Sequence, residues 1–93
     1  MVVVFRTKGE DWDKFTQTLR SSSAELHELG CKYVQAYRNR KHQDEWLMLQ
    51  EWTDKATFDK FAESRGPELD RDAGVRWTDV STWEESAFPP TGG

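Results

Sequence analysis

Residues 44–52, DEWLMLQEW, are the most constraining stretch of this chain. As a strand, the segment turns alternate side chains to opposite faces. Leu47 and Leu49 go to one side, and Trp46, Met48 and Trp52 go to the other. A strand with one wet face is apolar on one side only. Any fold that holds this segment must therefore cover it twice.

The flanking residues suggest what supplies the first cover. VVVFRTK (2–8) is β-branched and aromatic, which predicts a strand ended by Gly9. In EDWDKFTQTLRSSSAELHEL (10–29), Trp12, Phe15, Leu19, Ser22 or Ser23, Leu26 and Leu29 recur every three or four residues, as on one face of a helix. Glu10, Asp11 and Asp13 fall in its first turn, where the helix dipole favours acids, and Gly30 is its stop. CKYVQAYRNR (31–40) alternates, with Cys31, Tyr33, Gln35, Tyr37 and Asn39 on one face and Lys32, Val34, Ala36 and Arg38 on the other. NRKHQD (39–44) is a polar turn into the strand 45–52. Thr53 or Asp54 caps a second helix from Lys55, with Phe58, Phe61, Ala62 and Leu69 as its apolar stripe. Gly66-Pro67 breaks or kinks that helix, because proline lacks the N–H a helix needs. DRDAGV (70–75) leads out to RWTDVSTWEE (76–85), which sets Trp77 and Trp83 on one face and Val80 on the other.

The order β-α-β-β-α-β predicts an α+β, ferredoxin-like domain, two split βαβ units around a hairpin. Both helices then lie on one face of a four-stranded antiparallel sheet and leave the other bare. Burying one Trp removes ~150–250 Å² from water, on the order of 4–6 kcal/mol. A face carrying Trp or Tyr from two or more strands exceeds the apolar patch that monomers tolerate. It calls for a second copy packed sheet to sheet, or for a ligand or partner stacked on the rings.

Length and charge narrow the function classes. Ninety-three residues make one domain, expected over 1–86, with a Pro- and Gly-rich tail over 87–93 that Phe88 could anchor. The net charge of −4 disfavours a nucleic-acid partner. No segment approaches the ~20 apolar residues of a membrane helix, so no membrane partner is expected. Met1 runs directly into Val2–Phe5 without a basic leader, which reads as cytoplasmic. The one cysteine, Cys31, fits a reducing compartment and a small buried residue better than a reactive thiol. Without a CxxC or a cluster of ligating residues, no metal is expected. Phosphate-binding glycine loops, HExxH and GxSxG are missing from the sequence. An RNA-binding version of the fold would show a basic, glycine-containing third strand, which DEWLMLQEW is not.

VVVFRTK, the W…F…L helix, YVQAYRN and above all DEWLMLQEWTDKATFDKF resemble the antibiotic biosynthesis monooxygenase family, over about residues 1–85. Glu51-Trp52, the Thr53-Asp54 cap and Phe58 match its strand-cap-helix pattern. The resemblance implies a homodimer, a dimeric α/β barrel in which two sheets pack face to face, and a pocket between sheet and helices in each protomer. Characterised relatives oxygenate polycyclic phenols or anthrones without metal or flavin, the substrate carbanion itself reducing O₂. Haem-cleaving members resemble one another in an Asn on the first strand and a His on the second helix. Val2–Lys8 holds no Asn and Lys55–Asp70 no His, so haem is not expected.

Such chemistry needs an apolar pocket, a group that binds or deprotonates the substrate, and donors for the developing anion. Tyr37, Asn39, His27 and Arg65 are the candidate catalytic residues, with Arg38 a further polar contact. Trp46, Met48, Trp52, Phe58, Phe61 and Tyr33 are the candidates for binding an aromatic ligand. Packing explains many of them equally well: His27 as a partly exposed helix residue, Tyr33 and Tyr37 as cross-strand neighbours, and the tryptophans as core or interface. Two functions follow. One is a cofactor-independent monooxygenase acting on an aromatic or polycyclic small molecule. The other is a non-enzymatic dimeric module that binds a small apolar ligand or a protein.

Overall fold

The structure, a computed structural model, describes residues 1–85; the expected tail and Phe88 lie outside them. The order is β1 (Val2–Gly9), α1 (Trp12–Leu29), β2 (Cys31–Arg38), β3 (Glu45–Trp52), α2 (Lys55–Ser64), α3 (Gly66–Asp72) and β4 (Val75–Trp83). The four strands form one sheet in the order β2-β3-β1-β4, with every neighbouring pair antiparallel. This is the expected ferredoxin-like plan, with three helices rather than two.

Local chemistry sets the boundaries. The Asp11 carboxylate accepts the Lys14 N–H at 3.1 Å and caps α1. Gly30 ends the helix at φ 114°, a left-handed conformation that costs glycine little. Asp54, not Thr53, caps α2 by accepting the Thr57 N–H at 2.8 Å. The helix expected over 55–70 is two helices. Arg65 closes α2 by donating its N–H to Phe61 O, and Pro67 stands in the first turn of α3, where its missing N–H costs nothing. The segment read as a lead-out is helical as far as Asp72.

One strand face differs from its sequence reading. Cys31 pairs with Trp52 and Tyr33 with Glu51, so Lys32 is an extra residue at a β-bulge. The bulge moves Cys31 off the face of Tyr33 and Tyr37 and into the core beside Trp52 and Val34.

All three helices lie on the face that receives Val3, Phe5, Trp46, Met48 and Trp52, and the core forms there in two clusters. Val3, Leu26, Cys31, Trp52, Phe58 and Phe61 make one. Phe15, Trp46, Met48 and Ala73 make the other, and Phe5 and Val34 touch both. In the second, Phe15 stacks on Trp46 with centroids 4.6 Å apart, and the Trp46 indole N–H donates to Gln43 O at 2.9 Å. Among the described residues, nothing covers the opposite face. Tyr33 and Tyr37 from β2, Leu47 from β3, and Trp77 and Trp83 from β4 are all exposed on it. Helices thus supply the cover over Trp46, Met48 and Trp52, and nothing among the described residues covers Leu47 and Leu49.

Gly9 lies where β1 meets the Trp46 indole. A Cβ there would clash with the Cη2–Cζ3 edge of the ring and stand 3.0 Å from Gly74 O. Gly9→Ala should destabilise the domain by about 1–3 kcal/mol through overpacking. The shift in urea midpoint checks this.

Candidate functional site

Two concavities stand on opposite sides of the sheet. The first, about 370 Å³, lies between sheet and helices, along the seam of the two core clusters. Phe15 and Met48 line it from one cluster and Leu26, Phe58 and Phe61 from the other, with Phe5, Leu19, Pro67 and Leu69 completing the apolar wall. Its size falls in the ~300–1,000 Å³ range of small-molecule sites, and its walls have their apolar, aromatic character. Five polar side chains interrupt it: Thr18 and Ser22 on α1, Gln50 on β3, Asp70 on α3 and Thr78 on β4.

Two of these carry chemistry. Gln50 is buried at 2% exposure. Its Oε1 accepts the Trp52 indole N–H at 2.7 Å, and its Nε2 faces the Met48 sulphur at 3.6 Å. Asp70 has no ion-pair partner among the described residues. Burial raises its pKa above the ordinary carboxyl value, since loss of water penalises the charged form. A raised pKa makes the carboxylate a better base, and groups perturbed in this way inside a cleft are functional-site candidates.

The second concavity, about 360 Å³, is more open and more polar, and lies at the hairpin end of the sheet. Arg6, Lys8, Tyr37, Asn39, Leu47 and Trp77 line it. Arg6 and Lys8 each approach the Trp77 ring, at 5.9 and 5.8 Å from its centroid.

The residues singled out from sequence are not brought together. Met48, Phe58 and Phe61 line the cavity under the helices. Trp52 is fully buried behind it and backs its lining residues Gln50, Phe58 and Phe61. Trp46 borders the open groove and Tyr33 stands on the bare face. Tyr37 is in the groove, on the far side of the sheet from the cavity. Asn39 closes the hairpin, its side-chain oxygen accepting the N–H groups of Lys41 and His42 at 2.8 and 2.9 Å. His27 is exposed on α1 and lines neither concavity. Arg65 donates to Glu25 at 3.0 Å and to Glu68, tying α1 to the α2–α3 corner that roofs the cavity. Burial pushes the Cys31 thiol up to about 11, far from a nucleophile at neutral pH.

Gln50 and Asp70 were missed by the sequence reading. A signal for Gln50 existed, a polar residue on the strand face that otherwise carries Trp46, Met48 and Trp52. Asp70 gave none: it stands at the last position of the helix expected over 55–70, and the spacing there does not show that the separate helix α3 sets it in the cavity wall.

Among the described residues, no group of three His, Cys, Asp or Glu side chains is placed to hold a metal ion. No helix among them is long and apolar enough to cross a membrane.

Comparison with known proteins agrees with this architecture. The sequence profile of the family described as antibiotic biosynthesis monooxygenase matches residues 1–68. Among solved structures, the chain is similar to SnoaB, a cofactor-independent oxygenase from Streptomyces nogalater. The TM-score is 0.69 at 15% identity, covering 92% of this chain and 94% of that one. It is also similar to PA3566 from Pseudomonas aeruginosa, with a TM-score of 0.68 at 14% identity, covering 92% and 93%. No curated protein sequence gives a significant match.

If burial of Asp70 is held against solvation, its removal should stabilise the fold. Asp70→Asn should raise the urea midpoint at pH 7. The sign follows from linkage. A carboxyl whose folded pKa is raised leaves stability intact below its unfolded pKa, about 4, and removes it as pH rises through the folded value. The gain of the variant over wild type should therefore vanish near pH 4 and grow toward pH 7. Parallel urea titrations of the two proteins at several pH values check this.

Proposed function

The chain belongs to the antibiotic biosynthesis monooxygenase family, and we propose that it is a homodimeric, cofactor-independent monooxygenase acting on an aromatic or polycyclic small molecule. The observation that carries the reading is the apolar cavity under the helices with one carboxyl of raised pKa in its wall. Likeness to a cofactor-independent oxygenase supports it.

In this reading the flat ligand lies against Met48, Phe58 and Phe61, and displaces water from that apolar part of the wall. Asp70 takes the acidic proton of the substrate. The resulting carbanion passes electrons to O₂, which dissolves readily among apolar side chains. Carbon–oxygen bond formation gives a peroxide, which loses water to leave a new carbonyl. For an anthrone, one substrate and one O₂ give one quinone and one water, and the substrate is the only reductant. Arg65 is a positioning residue that holds the cavity roof through Glu25. Tyr33, Tyr37, Leu47, Trp77 and Trp83 belong to the dimer interface, where a second sheet covers the bare face.

Oxygen uptake with a stable anthrone, in metal-free buffer without flavin or nicotinamide, tests the chemistry. Protein-dependent uptake with a quinone product is expected, and Asp70→Asn should reduce it by roughly 10²-fold or more. Anthrone that quenches tryptophan fluorescence without oxygen uptake would instead mark a binding module. Light scattering at micromolar concentration should give the mass of two chains. Leu47→Asp, on an inner strand of the bare face, should give the mass of one.

A further inference from the structure

We propose that Gln50 is the specificity-determining residue of the cavity, a hydrogen-bond donor of fixed orientation that selects ligands bearing a carbonyl or phenolate oxygen. The inference rests on the reading of this cavity as the ligand site and adds the feature of the ligand that is recognised.

An amide side chain presents an acceptor at one end and two donors at the other, and which end faces a site decides what the site accepts. Here the choice is made by Trp52. An indole N–H can only donate, and at 2.7 Å it can be met only by Oε1 of Gln50. Turning the amide over would set two buried donors against each other and lose the bond, a costly arrangement at 2% exposure. The Nε2 end is therefore held toward Met48 and the cavity. It carries two N–H groups. Among the described residues its one acceptor is a thioether sulphur at 3.6 Å, a weak partner. A ligand oxygen that reaches Nε2 is a stronger acceptor than the Met48 sulphur. A ligand of the same shape without that oxygen leaves the donor unpaired, and pockets built this way discriminate strongly. Trp52 acts through Gln50 and is a positioning residue.

The test compares anthrone with 9,10-dihydroanthracene, which has the same three-ring frame without the oxygen. Binding of each is followed by tryptophan fluorescence in nitrogen-purged buffer. Wild type should bind anthrone roughly tenfold more tightly, the size of one good hydrogen bond. Gln50→Leu and Gln50→Met should close that gap by weakening anthrone alone. Trp52→Phe, which keeps an aromatic ring but frees the amide, should narrow it. Equal binding of the two ligands by wild type overturns the proposal even if every variant fails to fold. A gap that persists in a folded Gln50→Leu protein also overturns it. Binding of neither ligand overturns it together with the reading of the cavity. Oxygen uptake without a binding gap overturns the Gln50 inference alone, and a binding gap without uptake overturns the oxygenase reading alone.

Discussion

The structure depends on β3 being apolar on both faces. The strand is hydrogen-bonded to β1 on one side and β2 on the other, so it cannot move without the sheet. On its helix side, Trp46 and Met48 belong to one core cluster and Trp52 to the other. Trp52 is fully buried and packs on Phe58 and Phe61, with centroids 5.6 and 4.9 Å away. Trp52 thus fixes where α2 docks, and the Asp54 cap fixes where α2 begins. One strand sets the register of the sheet and the position of the roof over it.

The cavity follows from the same arrangement. Each cluster is built around one large indole, Trp46 toward the hairpin end and Trp52 toward the α2 end. Between them β3 carries Met48 and Gln50, and α1 above carries Leu19, Ser22 and Leu26. Two bulky centres with smaller side chains between them leave a gap in the middle. The Trp52 indole needs an acceptor for its N–H, and Gln50 supplies it. A requirement of the core therefore places a polar group in an otherwise apolar wall. The break at Arg65 then lets α3 turn so that Asp70 faces the same space.

Most of the frame was legible in the sequence because it rests on local rules. The period-two pattern of 45–52, the three- and four-residue spacing of α1, the Asp54 cap and the Gly30 stop each act over a few residues, and the topology follows from their order. What was not legible depends on contacts between distant segments. Pattern alone sends Cys31 to the face of Tyr33. The bulge at Lys32 arises from pairing with β3 and reverses it. Gly66-Pro67 signals a break or kink in the helix 55–70, but not that the segment beyond it turns Asp70 inward. The aromatic and polar residues chosen as site candidates were conspicuous by type. Residue type does not tell which sheet face a strand position occupies, and Tyr37 stands across the sheet from the cavity that Phe58 lines.

The cavity and the bare face bear on one another through stability. A chain of this length has little core to spare, and here part of the apolar surface lines an open cavity of about 370 Å³ rather than packing on protein. The uncompensated carboxyl of Asp70 adds a further cost. The opposite face of the same sheet exposes Trp77, Trp83, Tyr33 and Tyr37, rings of the kind that contribute most when buried. Packing a second copy there would remove their surface from water at roughly 25 cal/mol per Å². It would hold the sheet rigid from the side away from the ligand and leave the cavity mouth free. In this view the proposed dimer offsets what the hollow protomer lacks. Weakening the bare face should then loosen the cavity floor as well, because Leu47 and Leu49 alternate with Met48 and Gln50 along one strand.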